Sequence, residues 1–331
     1  MADFQFLKNF IAKKWVIWAP RRSKRTNVGK KPEAVCPFCI GREADEEELY
    51  RVGGQAGDSN WHIRVIPNKF PFAPHHEIII HSPDHHKNID ELPFSQVELI
   101  FQTYRQRYNV HAKLGPHFAK ASWGKQVYIF HNRGIAAGES LPHPHTQLVV
   151  IPGEVTLEIP VLDYDVIARR EKRATRQSHA WKRLLRSFSV ARNDDTNDNV
   201  LETEHFLLFC PKTSEWPDEV WIAPQRSGTV FGQITDKEIT DLAFALTRII
   251  QIFDLRHQDE FPFNFYVYPG KNWYLRLIPR IKILGGFEVG TQVMVNTQDP
   301  KETFAFIKEH FWQPDHEKIK SSHQAEYYRR A

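Results

Sequence analysis

The chain has 331 residues, of which 41% are hydrophobic, 25% charged and 13% aromatic; this excludes a disordered or collagen-like chain and, at roughly 150 residues per domain, predicts about two domains. Lys plus Arg exceed Asp plus Glu by 44 − 40 = +4, too small an excess to mark a nucleic-acid protein, while small anionic substrates remain compatible. No stretch approaches 18 apolar residues, and the opening MADFQFLKNFIAKKW carries charges where a signal peptide needs an apolar run, so the expectation is a cytoplasmic protein without a membrane span.

Taken in chain order, Trp15-Val16-Ile17-Trp18 reads as a strand that runs into a turn loaded with cations, Pro20 to Arg25. Cys36-Pro37-Phe38-Cys39 follows, two of only three cysteines, which argues against a disulfide framework and for a metal or redox role. The third, Cys210, lies in an apolar run and reads as packed and inert. Residues 41–61, acidic and Gly-containing, read as a solvated loop. Strands are expected at Ile63–Ile66 and Glu77–Ile80, then a helix from about Ser95, its N-cap, to Asn109, with apolar Val97, Ile100, Phe101 and Tyr104 at helical spacing. Two further strands, Gln126–Phe130 and Gln147–Ile151, close this half.

The same order then recurs at an offset of 141, with Pro224 answering Pro83 and Asp236 answering Ser95, followed by strands at Phe263–Tyr268 and Tyr274–Ile278. The repetition predicts an α+β protein of two homologous halves, each an antiparallel sheet with a packed helix. The expected division is 1–162, a connecting segment 163–200, and 201–331. Nine cations between Arg169 and Arg192 make the connection a solvated helix or, alternatively, a polyanion contact.

Chemistry concentrates in Gly138-Glu139-Ser140-Leu141-Pro142-His143-Pro144-His145-Thr146-Gln147. In an extended chain His143, His145 and Gln147 share a face at steps of about 6.6–7 Å, and Pro144, unable to donate to a ladder, is expected at a sheet edge or strand entry. A neutral imidazole is a good nucleophile toward phosphorus and its adduct passes the group on. Gln147 and Ser140 can donate to phosphoryl oxygens without titrating, and the guanidinium forks of Arg22 and Arg25 suit phosphate. Completing a tetrahedral site at the Cys pair requires two more ligands, for which the candidates are the His of SPDHH and either His of HPH; Cys36, Cys39, His85 and His143, for instance, would give a closed, structural Cys₂His₂ zinc set. The alternative, a thioredoxin-like redox turn, belongs at a helix N-terminus after a strand, whereas an acidic loop follows here.

With WVIWAPRRSKR, CPFCIG, RVIPNKFP, HSPDHHKNIDEL, HNRGIAAGESLPHPHTQ, LETEHFLLFCP and GGFEVGTQ, nearly the whole chain resembles the galactose-1-phosphate uridylyltransferase family, the transferase branch of the histidine-triad superfamily. The resemblance implies two tandem histidine-triad-like halves, with His145 attacking the α-phosphorus of a nucleotide sugar. A nucleotidyl-histidine results, and a sugar 1-phosphate or phosphate then accepts the group. It further implies phosphoryl contacts from Gln147, Ser140, Arg22 and Arg25, nucleotide contacts from Asn68 and Asn132, and structural zinc on Cys36, Cys39, His85 and His143. The family's second-half His-x-His-x-His strand reads Asn272-Trp273-Tyr274-Leu275-Arg276-Leu277 here, so a second metal is not expected. Gly285-Gly286-Phe287-Glu288-Val289-Gly290-Thr291 followed by Gln292 is more similar to the ADP-glucose phosphorylases, in which phosphate is the acceptor. By analogy of fold, Phe287, Val289, Gln292 and Gln298 reach a sugar held by the partner subunit of a homodimer. The expected function is thus hexose-1-phosphate nucleotidylyl transfer. Alternatives are an ADP-glucose phosphorylase or nucleotide-sugar hydrolase on the same fold, and a non-catalytic zinc-stabilised nucleotide-binding or nucleic-acid-binding protein.

Overall fold

A computed structural model describes residues 4–24, 36–113, 124–162, 200–257 and 260–313. Arg25 and the basic run 165–192 lie outside the described residues. The chain forms two compact units, Met1–Ile159 and Pro160–Ala331.

In the first unit a hairpin of β1 (Gln5–Lys8) and β2 (Trp15–Trp18) precedes a five-stranded antiparallel sheet. Its strands are β3 (Tyr50–Val52), β4 (Ile63–Pro67), β5 (His75–Ile80), β6 (Lys125–Arg133) and β7 (His145–Pro152), in the spatial order β3-β4-β5-β7-β6. The helix α1 (Phe94–Lys113) lies in sequence between β5 and β6. Antiparallel register sets Ile78 opposite Gln147 and Ile80 opposite His145, so His76, Ile78, Ile80, His145 and Gln147 share one face. The alternate residues Glu77, Ile79, Thr146 and Leu148 face the other way, where Glu77 and Thr146 meet α1. There Tyr104 Oη hydrogen-bonds Thr146 Oγ1 at 2.5 Å, and the Arg107 guanidinium donates to Glu77 at 2.8 and 2.6 Å.

The second unit repeats this plan. Its strands are β8 (Leu201–Glu202), β9 (Phe206–Phe209), β10 (Val220–Pro224), β11 (Phe263–Val267) and β12 (Leu275–Pro279), in the order β8-β9-β10-β12-β11, with α2 (Asp236–His257) between β10 and β11 in sequence. Matched strand for strand, the two orders are identical: each half is a meander of three strands followed by a helix and an inserted hairpin. Thr235 and Glu238 cap α2 reciprocally, Oε2 of Glu238 accepting from Thr235 N and the Thr235 hydroxyl from Glu238 N. Two short helices follow, α3 (Gly286–Thr291) and α4 (Pro300–His310); Asp299 caps the latter and Pro300 opens it. Two tandem histidine-triad-like halves, each an antiparallel sheet with packed helices, are therefore the architecture.

Two local expectations are corrected. Residues 41–61 are not simply a solvated loop: Glu43 is buried, accepting from Trp61 Nε1 at 2.8 Å and Gly41 N at 2.8 Å, and β3 falls within the segment. Glu48, too, faces inward, holding both Arg51 and Arg64. The first helix begins at Phe94 rather than after Ser95, since the Pro93 carbonyl accepts from Gln96 N and Val97 N, placing Ser95 inside the first turn. Of the two expected places for Pro144 the structure shows the strand entry, immediately before β7, which is flanked on both sides; the Pro144 carbonyl accepts from His81 N. The His81 carbonyl opposite the missing N–H accepts instead from Gln96 Nε2 at 2.6 Å, so the proline leaves no acceptor unpaired there.

Candidate active site

A cavity of about 580 Å³ opens on the β5–β7 face of the first unit. One wall is apolar, with Phe38, Ile66, Ile78 and Leu141; Ser140, Asn68, His145 and Gln147 contribute the polar groups. Lys24 and Lys69 border it, as do Glu46 and the pair of Arg42 and Asp45, joined at 2.6 Å, so an anion entering meets a small excess of positive charge supplied by the two lysines, as a nucleotide-sized ligand with an apolar base and charged phosphates requires.

The loop from β6 to β7 aims these groups. A short 3₁₀ turn, Ile135–Ala137, is ended by Gly138 at φ 83°, and Gly134 N donates to Glu139 Oε2 at 2.9 Å. A side chain at residue 138 would strain a backbone in the left-handed region, so glycine is required where the loop turns toward Ser140. Strand alternation then sends His145 and Gln147 to the cavity and Thr146 to the helix face.

His145 is buried, and its Nδ1 lies 2.8 Å from the His143 carbonyl oxygen. A carbonyl only accepts, so the proton sits on Nδ1 and the lone pair on Nε2. Phe38 packs edge-on against this ring at 5.3 Å between centroids. His143 is fixed in the opposite tautomer: its Nε2 lies 2.9 Å from Ser82 O, which leaves the Nδ1 lone pair facing the Cys36 and Cys39 sulfurs at 3.8 and 3.6 Å. His85 Nδ1 is 3.2 Å from Cys39 Sγ. The four ligand atoms lie within 4.8 Å of one another. Tetrahedral metal–sulfur and metal–nitrogen bonds of about 2.3 and 2.0 Å would separate such atoms by roughly 3.3–3.8 Å, so these residues fit a metal ion. Burial pushes the His143 imidazole down to about 4, keeping it neutral and able to ligate.

The remaining expected residues divide. Asn68 borders the cavity, whereas Asn132 does not line it. Arg22 donates from Nη1 to Phe70 O at 2.7 Å and lies over the Phe72 ring, while Lys24 of the same turn reaches the cavity. Phe287, Val289, Gln292 and Gln298 belong to the second unit; the first two are 58% and 61% exposed, and Gln292 closes α3 in a left-handed conformation. Where the resemblance calls for a His-x-His-x-His strand, Arg276 instead donates to Glu219 and Glu215 and lies over the Trp221 ring. Cys210 is half-buried, and burial together with Asp218 and Glu219 pushes its thiol well above the ordinary value, as suits an inert group.

Sequence reasoning missed Phe38, Lys24, Lys69 and His76 as parts of this site. Phe38 reads as a spacer between two cysteines and Lys69 as one charge in a turn; only the sheet register shows His76 on the face of Gln147.

Fold and site together define a tandem histidine-triad-fold protein with an HPHTQ strand beside a Cys₂His₂ cluster. A family model described as galactose-1-phosphate uridyl transferase, N-terminal domain, matches residues 73–150. The chain is 25% identical to ADP-glucose phosphorylase of Arabidopsis thaliana over 91% of this chain and 92% of that one. To the galactose-1-phosphate uridylyltransferase of Thermotoga maritima it is 24% identical over 91% and 96%. The crystal structure of the Arabidopsis thaliana ADP-glucose phosphorylase with bound ADP-glucose superposes with a TM-score of 0.66 at 25% identity, covering 92% of this chain and 99% of that one. Over most of its length the chain is thus similar to galactose-1-phosphate uridylyltransferases and to ADP-glucose phosphorylase. No described helix is long and apolar enough to cross a membrane.

Proposed function

We propose that this chain is a hexose-1-phosphate nucleotidylyltransferase working by two displacements at His145. The observation that carries the reading is the Nδ1–H to His143 carbonyl hydrogen bond, which leaves an unprotonated Nε2 on a buried ring beside a cavity that Lys24 and Lys69 border. The Nε2 lone pair attacks the α-phosphorus of a nucleoside-diphosphate sugar. The bond from that phosphorus to the bridging oxygen breaks, and sugar 1-phosphate leaves with the electron pair. An acceptor phosphate oxygen then attacks the phosphorus and the P–N bond breaks, restoring the imidazole. As negative charge spreads over the phosphoryl oxygens, Gln147 and Ser140 donate hydrogen bonds. Lys24 and Lys69 attract the anion, and the Phe38–Ile66–Ile78 wall takes the base.

Cys36, Cys39, His85 and His143 hold zinc in this reading, in a closed set whose role is to fix the loop carrying His145. Phe287, Val289, Gln292 and Gln298 serve a second copy's sugar site in a homodimer, a role suited to apolar side chains left exposed on α3. The place of action is the cytoplasm. A second reading, adenylyl transfer with phosphate as acceptor, is favoured by the Gly285–Thr291 motif and by the match to an ADP-glucose phosphorylase over 91% of the chain.

Intact-mass measurement after incubation with UDP-glucose and with ADP-glucose tests the proposal. A nucleotidyl adduct is expected with one of them, absent from His145→Ala and discharged by sugar 1-phosphate or by phosphate, whichever is the acceptor. Failure of a panel of nucleotide sugars to give any adduct would refute it.

A further inference from the structure

His76 is a buried imidazole that the mechanism above does not use, yet it touches both amide side chains that border the cavity. Its Nε2 lies 2.9 Å from Gln147 Oε1 and 3.0 Å from Asn68 Nδ2, while Phe72 N donates to its Nδ1 at 3.4 Å. The surrounding turn is built on the same residue. Asn68 N donates to His76 O at 2.8 Å, Phe70 N holds Asn68 Oδ1 at 2.9 Å, and the Phe72 ring packs edge-on against the imidazole at 4.4 Å.

We infer that His76 is a positioning residue whose tautomer decides which end of the Gln147 amide faces the phosphoryl group. A neutral imidazole carries one proton. A backbone N–H cannot reverse its role, so the Phe72 amide aimed at Nδ1 makes that nitrogen the acceptor and puts the proton on Nε2. Nε2–H then donates to Gln147 Oε1, and the Gln147 NH₂ is left to point into the cavity, where a phosphoryl oxygen needs a donor. The other tautomer reverses the arrangement. With the proton on Nδ1, Nε2 would accept from Asn68 Nδ2, whose oxygen Phe70 N already holds. Gln147 would have to turn its own NH₂ inward and present a carbonyl oxygen, repelling the anion it is there to bind. Asn68 therefore pulls toward the unproductive tautomer and the Phe72 amide toward the productive one. Arg22 supports the latter from behind, holding the Phe70 carbonyl and covering the Phe72 ring.

This inference rests on the nucleotidyl-transfer reading for its consequence but not for its geometry, and two measurements keep them apart. Nitrogen-15 NMR of the histidine rings in the intact wild-type chain, with His76 assigned through His76→Gln, reads the tautomer directly. An Nε2–H ring is expected, and an Nδ1–H ring overturns the inference whatever the enzyme does. Single-turnover nucleotidylation with UDP-glucose or ADP-glucose then reads the consequence. His76→Phe, which keeps the ring but removes the donor, is expected to slow adduct formation at saturating nucleotide sugar by roughly 10- to 100-fold, with half-saturation changing by less than about threefold. His76→Gln, whose amide can still donate, restores part of the rate. In a Gln147→Ala background, His76→Phe has almost no further effect, because it acts through the missing amide. Equal rates for wild type and His76→Phe, or a full additional loss in the Gln147→Ala background, overturn the positioning role. A wild type that forms no adduct refutes the transfer reading alone, since the tautomer measurement still decides how His76 holds Gln147.

Discussion

Glu77→Gln separates the support of the active-site sheet from its chemistry. Glu77 lies on β5 one residue after His76, on the opposite face, and is 3% exposed. Arg107 donates to it at 2.8 and 2.6 Å and His111 Nε2 lies 2.6 Å away, both from α1. Burial alone would push the Glu77 carboxyl up, but the hydrogen bonds and charges of Arg107 and His111 outweigh it and hold the group below its ordinary range. Neutralising it leaves the Arg107 guanidinium, itself 7% exposed, buried without its counter-charge. Breaking such a pair from one side costs roughly 3–5 kcal/mol. At roughly 2–4 °C per kcal/mol for a domain of this size, melting should fall by roughly 6–20 °C. Because the folded carboxyl is depressed, the pair's contribution is complete above the unfolded value of 4.5 and disappears as pH falls through the lower folded value. Melting curves by circular dichroism from pH 7 to pH 3 should therefore converge for wild type and Glu77→Gln at the acid end. A loss below about 1 kcal/mol at pH 7, or a gap that widens on acidification, would show that α1 is not tied to β5 by this charge.

Two more outcomes follow from the same unit. Chelation or Cys36→Ser should lower the melting temperature of the first unit, with any activity loss tracking unfolding, because a closed site contributes folding energy; turnover abolished at unchanged melting would contradict the structural role. Thr146→Val removes a hydroxyl placed 2.8 Å from His81 Nε2, 2.5 Å from Tyr104 Oη and 3.2 Å from His131 Nδ1, and urea unfolding should register a loss of roughly 1–3 kcal/mol. The rings in that cluster are kept neutral, burial pushing His131 down to about 3. Wild-type stability should accordingly begin to fall below pH 6.5, where the unfolded histidine takes up a proton that the folded one refuses.

Much of the architecture was open to reading from composition and period. Apolar residues at helical spacing marked α1 and the repeated order of strand, turn and helix disclosed two halves, because periodicity and turn chemistry are local properties. The Cys pair and its histidine motifs were also legible, since few residue types offer soft or imidazole ligands, but the motifs offer more histidines than one tetrahedron takes, and the resemblance, rather than the spacing, singled out His85 and His143. Segment 41–61 was misread because inward-facing acids look like surface charge until their cationic partners, Arg51 and Arg64, are located. Ser95 competed as a cap with a preceding proline whose carbonyl already accepts the first amides.

By itself, then, the sequence determined which residue types lie on one face of a strand and which elements repeat, for alternation and helical period are properties of the backbone. Only the tertiary structure decided where the protons sit. The His143 carbonyl assigns the tautomer of His145, the Ser82 carbonyl that of His143 and the Phe72 amide that of His76. The tautomer of each ring is set by a donor or acceptor that the fold aims at it: the Ser82 carbonyl reaches His143 across 61 residues of chain, while the partners of His145 and His76, two and four residues away, are oriented by the strand and turn that the fold fixes.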